Sequence, residues 1–235
     1  MPPTQAAGPE LSHNVSDYLR SKGVPPTQSW LQNFLPTVRT NTALPALQRT
    51  ALFRLLATDL TTSVQSTPSS TFPANISSPE TREQRLTGSV PVQVLGVEDI
   101  GRSCWSQVEA LEATERGETT KGREVIRVLP EENNVSAETT QVTDTASNGP
   151  HKLLLQDAKG TKAFAMEMSS VKGIDVGMAI GSKLVLRNVT VARGLLLLEA
   201  ATVEVLGGKV EGWEKKWREE RKMVLKEKAG MGAEL

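Results

Sequence analysis

Residues 194–213, GLLLLEAATVEVLGGKVEGW, hold the densest apolar run of the chain, and a Gly-Gly pair and charged residues close it. The leucine run 195–198 is far shorter than the roughly 20 apolar residues that a membrane-spanning helix needs. The Gly-Gly-Lys triplet 207–209 does not fit a phosphate-binding loop, because Val203 and Val210 stand where a glycine and a Ser or Thr are required. We therefore interpret the stretch as the last strands of a β core.

The leucine run 195–198 is apolar at every position, although only one face of a strand can fill a core. The other face must be covered, and the C-terminal helix and another protein chain are the two candidates. Arg193, Leu195 and Leu197 are therefore candidate partner-binding residues. The glycines that flank these strands are expected to have structural roles in turns, at Gly194, Gly207 and Gly208.

Three further stretches have strand patterns. VPVQVLGV, from Val90, alternates valine with polar or small residues. HKLLLQDAKGTKAFAMEM, from His151, predicts a hairpin around an Asp-Ala-Lys-Gly turn, and GSKLVLRNVTVARG, from Gly181, predicts another strand. About five short strands over 90–213, separated by glycines, favour a small barrel or sandwich over a parallel α/β sheet.

Helices are predicted at both ends of this β region, so the expected fold class is α+β. Residues 10–63 predict a three-helix bundle, and residues 210–228 predict a charged C-terminal helix. Pro25 and Pro26 should end the first helix, and Trp30 lies at the start of the second, so structural roles are expected for all three.

A Ser/Thr/Pro-rich segment, residues 64–89, is predicted to link the helices to the strands. Within 61–81, eleven of the 21 residues are Ser or Thr. A segment of this composition buries too little apolar area to offset the entropy lost when it is ordered.

A long insertion, residues 99–149, follows the first predicted strand. It contains ten acidic and five basic residues, a net charge of −5 in a chain whose formal charge is zero. A short amphipathic helix is predicted at its start, and the remainder has no periodicity. Loops of this length are usually functional or disordered, so the insertion is either a partner-engaging loop or a tolerated one. The candidate partner-binding residues in it are Asp99, Trp105, Val108 and Leu111.

No set of residues predicts catalysis, a metal site or a cofactor. The single cysteine, Cys104, excludes an internal disulfide and a multi-cysteine zinc site, and His13 and His151 have no ligand-like neighbours in sequence. The first residues lack the basic and apolar segments of a secretory signal. We expect a soluble, intracellular, non-enzymatic protein without a membrane segment.

Nucleic-acid binding by the strands is weakly indicated, through Lys152, Lys162 and Arg187. Residues 151–208 contain seven basic and five acidic residues, and Phe164 is the one aromatic residue on the predicted strands. Proteins that bind single strands combine a basic groove with several aromatic residues, and both are scarce here.

The order of motifs resembles the RecQ-mediated genome instability protein 1 family, and this chain is similar to its short, fungal-type members. The resemblance covers roughly residues 10–63 and 90–213, and the most specific motif is the C-terminal one. The segments that carry it are KGVPPTQSWL (22–31), LLATDL (55–60), VPVQVLGVEDIGRS (90–103), KLLLQDAKGTKAFAME (152–167) and GSKLVLRNVTVARGLLLLEAATVEVLGGKVEGW (181–213).

The resemblance implies an N-terminal three-helix bundle and a five-stranded OB-fold barrel whose first two strands flank the insertion. It also implies a non-catalytic nuclear scaffold for topoisomerase III, a type IA topoisomerase, and a RecQ-family helicase in DNA repair, recombination and replication. The insertion would reach the topoisomerase gate and favour decatenation and dissolution of double Holliday junctions. The alternative is an autonomous OB-fold module that binds single-stranded DNA.

Overall fold

The structure, a computed structural model, describes residues 7–38, 42–121, 124–127 and 149–230. Four helices come first: α1 (Ala7–Ser21), α2 (Gln28–Phe34), α3 (Leu44–Leu56) and the single turn α4 (Leu60–Ser63), with a 3-10 turn at Leu35–Thr37 after α2. The predicted helical bundle is therefore present, with one further turn of helix at its end.

Local sequence signals determine where these helices begin and end. The Thr27 side chain accepts a hydrogen bond from the Trp30 N–H and caps α2, and Pro45 lies in the first turn of α3. Trp30 stacks on Phe34 with ring centroids 5.0 Å apart. The carbonyl of Pro25 accepts a hydrogen bond from the Gln65 N–H, so the segment after α1 is fixed against the end of α4.

Eight strands and two further helices make up the rest of the described chain. The strands are β1 (Gln84–Asp99), β2 (Glu118–Lys121), β3 (Glu124–Arg127), β4 (His151–Asp157), β5 (Lys162–Glu167), β6 (Lys183–Ala192), β7 (Leu195–Leu198) and β8 (Val203–Gly207). The helices are α5 (Cys104–Glu115) and α6 (Glu211–Lys228).

Five strands close into a barrel in the order β1-β4-β5-β7-β6, with β6 pairing back to β1 and β8 added on β6. Strand β1 makes closure possible because residues 84–93 pair with β6 and residues 92–99 pair with β4. The pairing of β5 with β7 is parallel and the other pairings are antiparallel. The predicted five-stranded OB-fold barrel is confirmed, with the insertion between its first two strands.

Residues 64–89, predicted to be a linker, are partly packed into the protein core. Phe72 and Ile76 are buried in the barrel core, and Val64 is buried with the helices. The Phe72 N–H donates to Asp157 Oδ2 at 2.7 Å, and the first strand begins at Gln84 rather than Val90. The composition did not indicate this packing, because two buried apolar residues, Phe72 and Ile76, are enough to fix a segment that is otherwise rich in Ser and Thr.

The insertion begins with the predicted helix, α5, and continues into a β2–β3 hairpin that sequence periodicity did not indicate. The rest of the predicted loop, residues 128–148, lies outside the described part of the chain. The base of the insertion is closed tightly. The Ile100 N–H donates to the Pro150 carbonyl, and a side chain on Gly101 would come within 2.7 Å of the Gly149 Cα.

A buried polar cluster joins the helices to the barrel. Gln156, Gln93 and Lys183 are cross-strand neighbours on β4, β1 and β6. The Gln93 amide donates to Asp59 Oδ1 at 2.8 Å and accepts from the Leu60 N–H at 2.9 Å. Gln93 and Lys183 are completely buried, so the helices cover this part of the outer barrel surface.

Burial lowers the pKa of the Lys183 ammonium group to about 8, although the nearby Asp59 carboxylate acts in the opposite direction. The ammonium group donates to the Gly181 carbonyl at 2.7 Å. Since the unfolded chain keeps the ordinary pKa of 10.5, it binds more protons than the folded chain between pH 8 and 10.5.

The free energy of unfolding should therefore rise between pH 8 and 10.5, by up to about 3 kcal/mol from Lys183 alone. Urea unfolding of the wild type and of Lys183→Met at both pH values would measure this, because the variant should lack that part of the rise. Lys162→Met, at an exposed position of β5, is the matched control and should behave as the wild type. An identical pH dependence for Lys183→Met and the wild type would contradict the assignment.

Candidate partner-binding surfaces

An apolar surface on the outside of the barrel crosses strands β4, β5 and β7. Leu154 pairs with Phe164, and Phe164 pairs with Leu195, so their side chains lie side by side. In the next row Met166 pairs with Leu197. We call this set, Leu154, Phe164, Met166, Leu195 and Leu197, the barrel face. Their inward neighbours Leu153, Leu155, Ala165, Leu196 and Leu198 are all buried.

The barrel face remains open in the described part of the chain. Phe164 is 47% exposed, and Leu195 and Leu197 are half-buried. The Lys152 ammonium lies 4.5 Å from the centre of the Phe164 ring. Arg193, also exposed, lies beside the face and donates to the Pro79 carbonyl at 3.1 Å. Sequence analysis selected Leu195 and Leu197 and missed Leu154, although residues 153–155 carry the same uninterrupted apolar signal.

Three glycines, before β7 and at the end of β8, have backbone conformations that other residues rarely adopt. Gly194 has φ of +82°, and a Cβ there would lie 2.6 Å from the Ser77 carbonyl oxygen. Gly207 and Gly208 both have positive φ, and a Cβ on Gly208 would lie 2.5 Å from the Leu56 carbonyl oxygen. Gly208 thus allows α3 to approach the barrel closely.

The insertion helix α5 is attached to α6 by ion pairs. Lys226 lies 2.7 Å from Glu112, and Lys222 lies 2.5 Å from Glu115 and 3.4 Å from Glu112. The hydrogen bond from Lys226 lowers the pKa of Glu112, and the hydrogen bond to Glu115 raises the pKa of Lys222. Two of the insertion's acidic residues are therefore already ion-paired with lysines of the C-terminal helix.

The four candidate residues of the insertion have different surroundings. Trp105 is 53% exposed and can meet a partner, and Leu111 is half-buried. Val108 is 3% exposed and Asp99 is 5% exposed, so both are covered by the chain itself. Because Val108 fixes α5 to the protein interior, its predicted role as a contact residue is replaced by a packing role.

The base of the insertion also holds a buried histidine. His151 Nδ1 lies 2.6 Å from Glu167 Oε2, and both side chains are 4% exposed. Asp99 pairs with His151 across β1 and β4. Among the described residues no group of His, Cys, Asp and Glu has the arrangement of a metal site.

The three candidate nucleic-acid residues do not form one patch. Lys152 and Lys162 lie on β4 and β5, whereas Arg187 lies on β6 and is ion-paired with Glu204 at 2.6 Å. No helix among the described residues is long and apolar enough to cross a membrane.

The closed barrel and the helical unit packed on it define an OB-fold protein with an N-terminal helical domain. Family models described as "RMI1, N-terminal helical domain" and "RMI1, N-terminal OB-fold domain" match residues 19–63 and 72–221. The chain is similar to RecQ-mediated genome instability protein 1 of Schizosaccharomyces pombe, with 28% identity over 213 residues, 86% of this chain and 89% of that protein. The chain belongs to the RMI1 family.

Proposed function

We propose that this protein is a non-catalytic genome-stability subunit that binds topoisomerase III in a nuclear complex with a RecQ-family helicase. The family and the RecQ-linked name of the similar S. pombe protein support the proposal. The observation that carries it is the open barrel face, because an apolar surface of adjoining side chains across three strands is typical of a protein-binding surface.

The partner's contact should centre on Phe164, the most exposed residue of the barrel face. Aromatic side chains at the centre of an interface usually contribute more binding free energy than their neighbours. Lys152, which lies against the Phe164 ring, would form the polar rim of the contact. Both residues come from the β4–β5 hairpin, which the parallel β7 supports from the side.

The insertion has a separate role in the proposal, which is to modulate strand passage. Gly101 and Gly149 lie against each other at its base, and α5 is held to α6 by ion pairs, so the first part of the insertion has a fixed position on the protein. Its net charge of −5 suits a basic DNA-passing cavity, where it would compete with DNA.

Replacing Phe164 or Leu195 by Asp should weaken binding to topoisomerase III at least about tenfold, because a charge would enter the apolar contact. Isothermal titration calorimetry with the purified topoisomerase would measure the change. The matched control is Phe53→Asp, which places the same charge on another exposed apolar residue, 73% exposed on α3. Equal loss of binding in the Phe53 variant, or none in the Phe164 and Leu195 variants, would remove the barrel face as the contact.

Replacing residues 118–147 by a short Gly-Ser linker should preserve topoisomerase binding and lower decatenation several-fold. The deletion starts after α5 because Val108 is part of the packed structure. Binding and decatenation of linked DNA circles would be measured on the same preparations. Unchanged decatenation by a variant that binds normally would exclude the proposed role of the insertion.

One observation favours a second candidate, single-stranded DNA binding by the barrel. The Lys152–Phe164 pair combines a cation with an exposed aromatic ring on the second and third barrel strands, the face that OB-folds use for oligonucleotides. A base could stack on Phe164 while Lys152 or Lys162 neutralises a phosphate.

Titration of labelled single-stranded DNA at two salt concentrations separates the two candidates. With one aromatic residue on these strands, we expect weak binding with a shallow salt dependence. Micromolar or tighter binding with a steep salt slope, lost in Phe164→Ala, would instead support the DNA-binding module.

A further inference from the structure

Strand β1 has one edge that loses its partner strand before the strand ends. Residues 84–93 pair with β6 along this edge. Val94 then continues the pairing with the segment before β6: its N–H donates to the Ser182 carbonyl at 2.9 Å, and its carbonyl accepts from the Gly181 N–H at 2.7 Å. Residues 96–99 pair with β4 on the opposite edge, and no described strand pairs with them on this one.

The hydrogen-bond pattern shows which main-chain groups face the unpaired edge. In an antiparallel pair, alternate residues turn their N–H and C=O groups toward the partner strand and away from it. The Ile100 N–H donates to the Pro150 carbonyl, toward β4, whereas the Asp99 carbonyl accepts from the Gln107 amide on the other side. By this alternation Val97 also faces the unpaired edge. The Val97 N–H and C=O and the Asp99 N–H have no hydrogen-bond partner among the described residues.

A groove with a cavity of about 150 Å³ runs along this edge. One wall is formed by four consecutive residues of β1, 96–99, so the strand is presented edge-on. The other wall is one side of α6 and includes Trp217, Val224 and Leu225. The groove reaches the surface, because Val224 is 39% exposed and Glu98 is also exposed. We call the cavity and its two walls the edge groove.

Helix α6 covers the edge without completing its hydrogen bonds. Val224 and Leu225 have no polar side-chain atoms, and Lys228 is paired with Glu98 at 2.5 Å. Main-chain groups that are shielded from water and lack a partner cost free energy, and a row of them on a sheet edge is a template for another strand. The groups left open by Val97 and Asp99 therefore call for a second extended main chain, whose N–H and C=O groups alternate with the same spacing.

We propose that the edge groove binds an extended segment of a partner protein, which adds to β1 as a further strand. The cavity has the volume of about five water molecules, which suits the main chain of about two residues opposite Val97. The side chains that face α6 must be small or β-branched and apolar, because they meet Val224 and Leu225. Since Cys104 and Gln107 of α5 also line the groove, the segment would contact the start of the insertion.

An NMR titration of the ¹⁵N-labelled full chain with the peptide acetyl-Ser-Val-Val-Val-Ser-amide tests the edge groove without topoisomerase, so its outcome is separate from that of the proposed function. We expect saturable downfield shifts of the Val97 and Asp99 amide protons as they become donors. The same peptide with its three valine nitrogens methylated keeps the side chains but cannot donate to the Val97 carbonyl. It should bind at least about tenfold more weakly. Equal binding of the two peptides, or no saturable shift with the first, would overturn the proposal.

A variant of α6 tests whether the peptide lies in the groove. Val224→Trp should fold, because Val224 is partly exposed, and its larger side chain should fill the groove and weaken peptide binding at least about tenfold. Met223→Trp is the matched control, since it adds the same ring at the next position of α6, 64% exposed and outside the groove, and binding should not change. Unaltered binding by Val224→Trp, or equal loss in both variants, would place the peptide elsewhere and contradict the assignment.

Two other occupants of the edge groove would give different results. If the chain's own residues 231–235 filled it, a variant without them should bind the peptide at least about tenfold more tightly than the full chain. If a second copy filled it, the Val97 and Asp99 amide shifts should change with protein concentration in the absence of peptide. We expect neither result, and either one would replace the partner segment as the occupant.

Discussion

The position of the N-terminal helices on the barrel depends on the hydrogen bonds that Gln93 of β1 makes with Asp59 and Leu60. Gln93 lies at the point where β1 passes from one partner strand to the other, so the residue that closes the barrel also receives the helices. The buried ammonium group of Lys183, on the neighbouring strand β6, interacts electrostatically with the Asp59 carboxylate. A polar contact of this kind is directional, and it fixes how the helical unit sits more closely than apolar packing alone would.

The helices cover part of the outer barrel surface, and the remaining outer surface of β4, β5 and β7 stays open among the described residues. The barrel face lies on β4, β5 and β7, whereas Gln156, Gln93 and Lys183 face the helices. The insertion leaves from the end of β1, next to α6. In the proposed function, the contact between the helices and the barrel, the docking surface and the acidic insertion would therefore lie at different places on the barrel.

The elements that depend on local pattern could be predicted from the sequence. The Asp157 turn, the helix caps and the glycines at 194, 207 and 208 follow from rules that span a few residues. Lys183 could not be predicted to be buried, because the Asp59 carboxylate that acts on its ammonium group lies more than a hundred residues earlier in the chain. Phe164 became part of a candidate site once the strand register placed Leu154 and Leu195 on either side of it.

The closed base of the insertion allows the length of the insertion to change without disturbing the barrel. Gly101 and Gly149 lie against each other, so the chain between them is a loop whose ends are already joined by the barrel. The entropy of closing such a loop grows only with the logarithm of its length, about 0.6 kcal/mol for each doubling. Chains of this architecture can therefore lengthen or shorten the insertion at little cost in barrel stability.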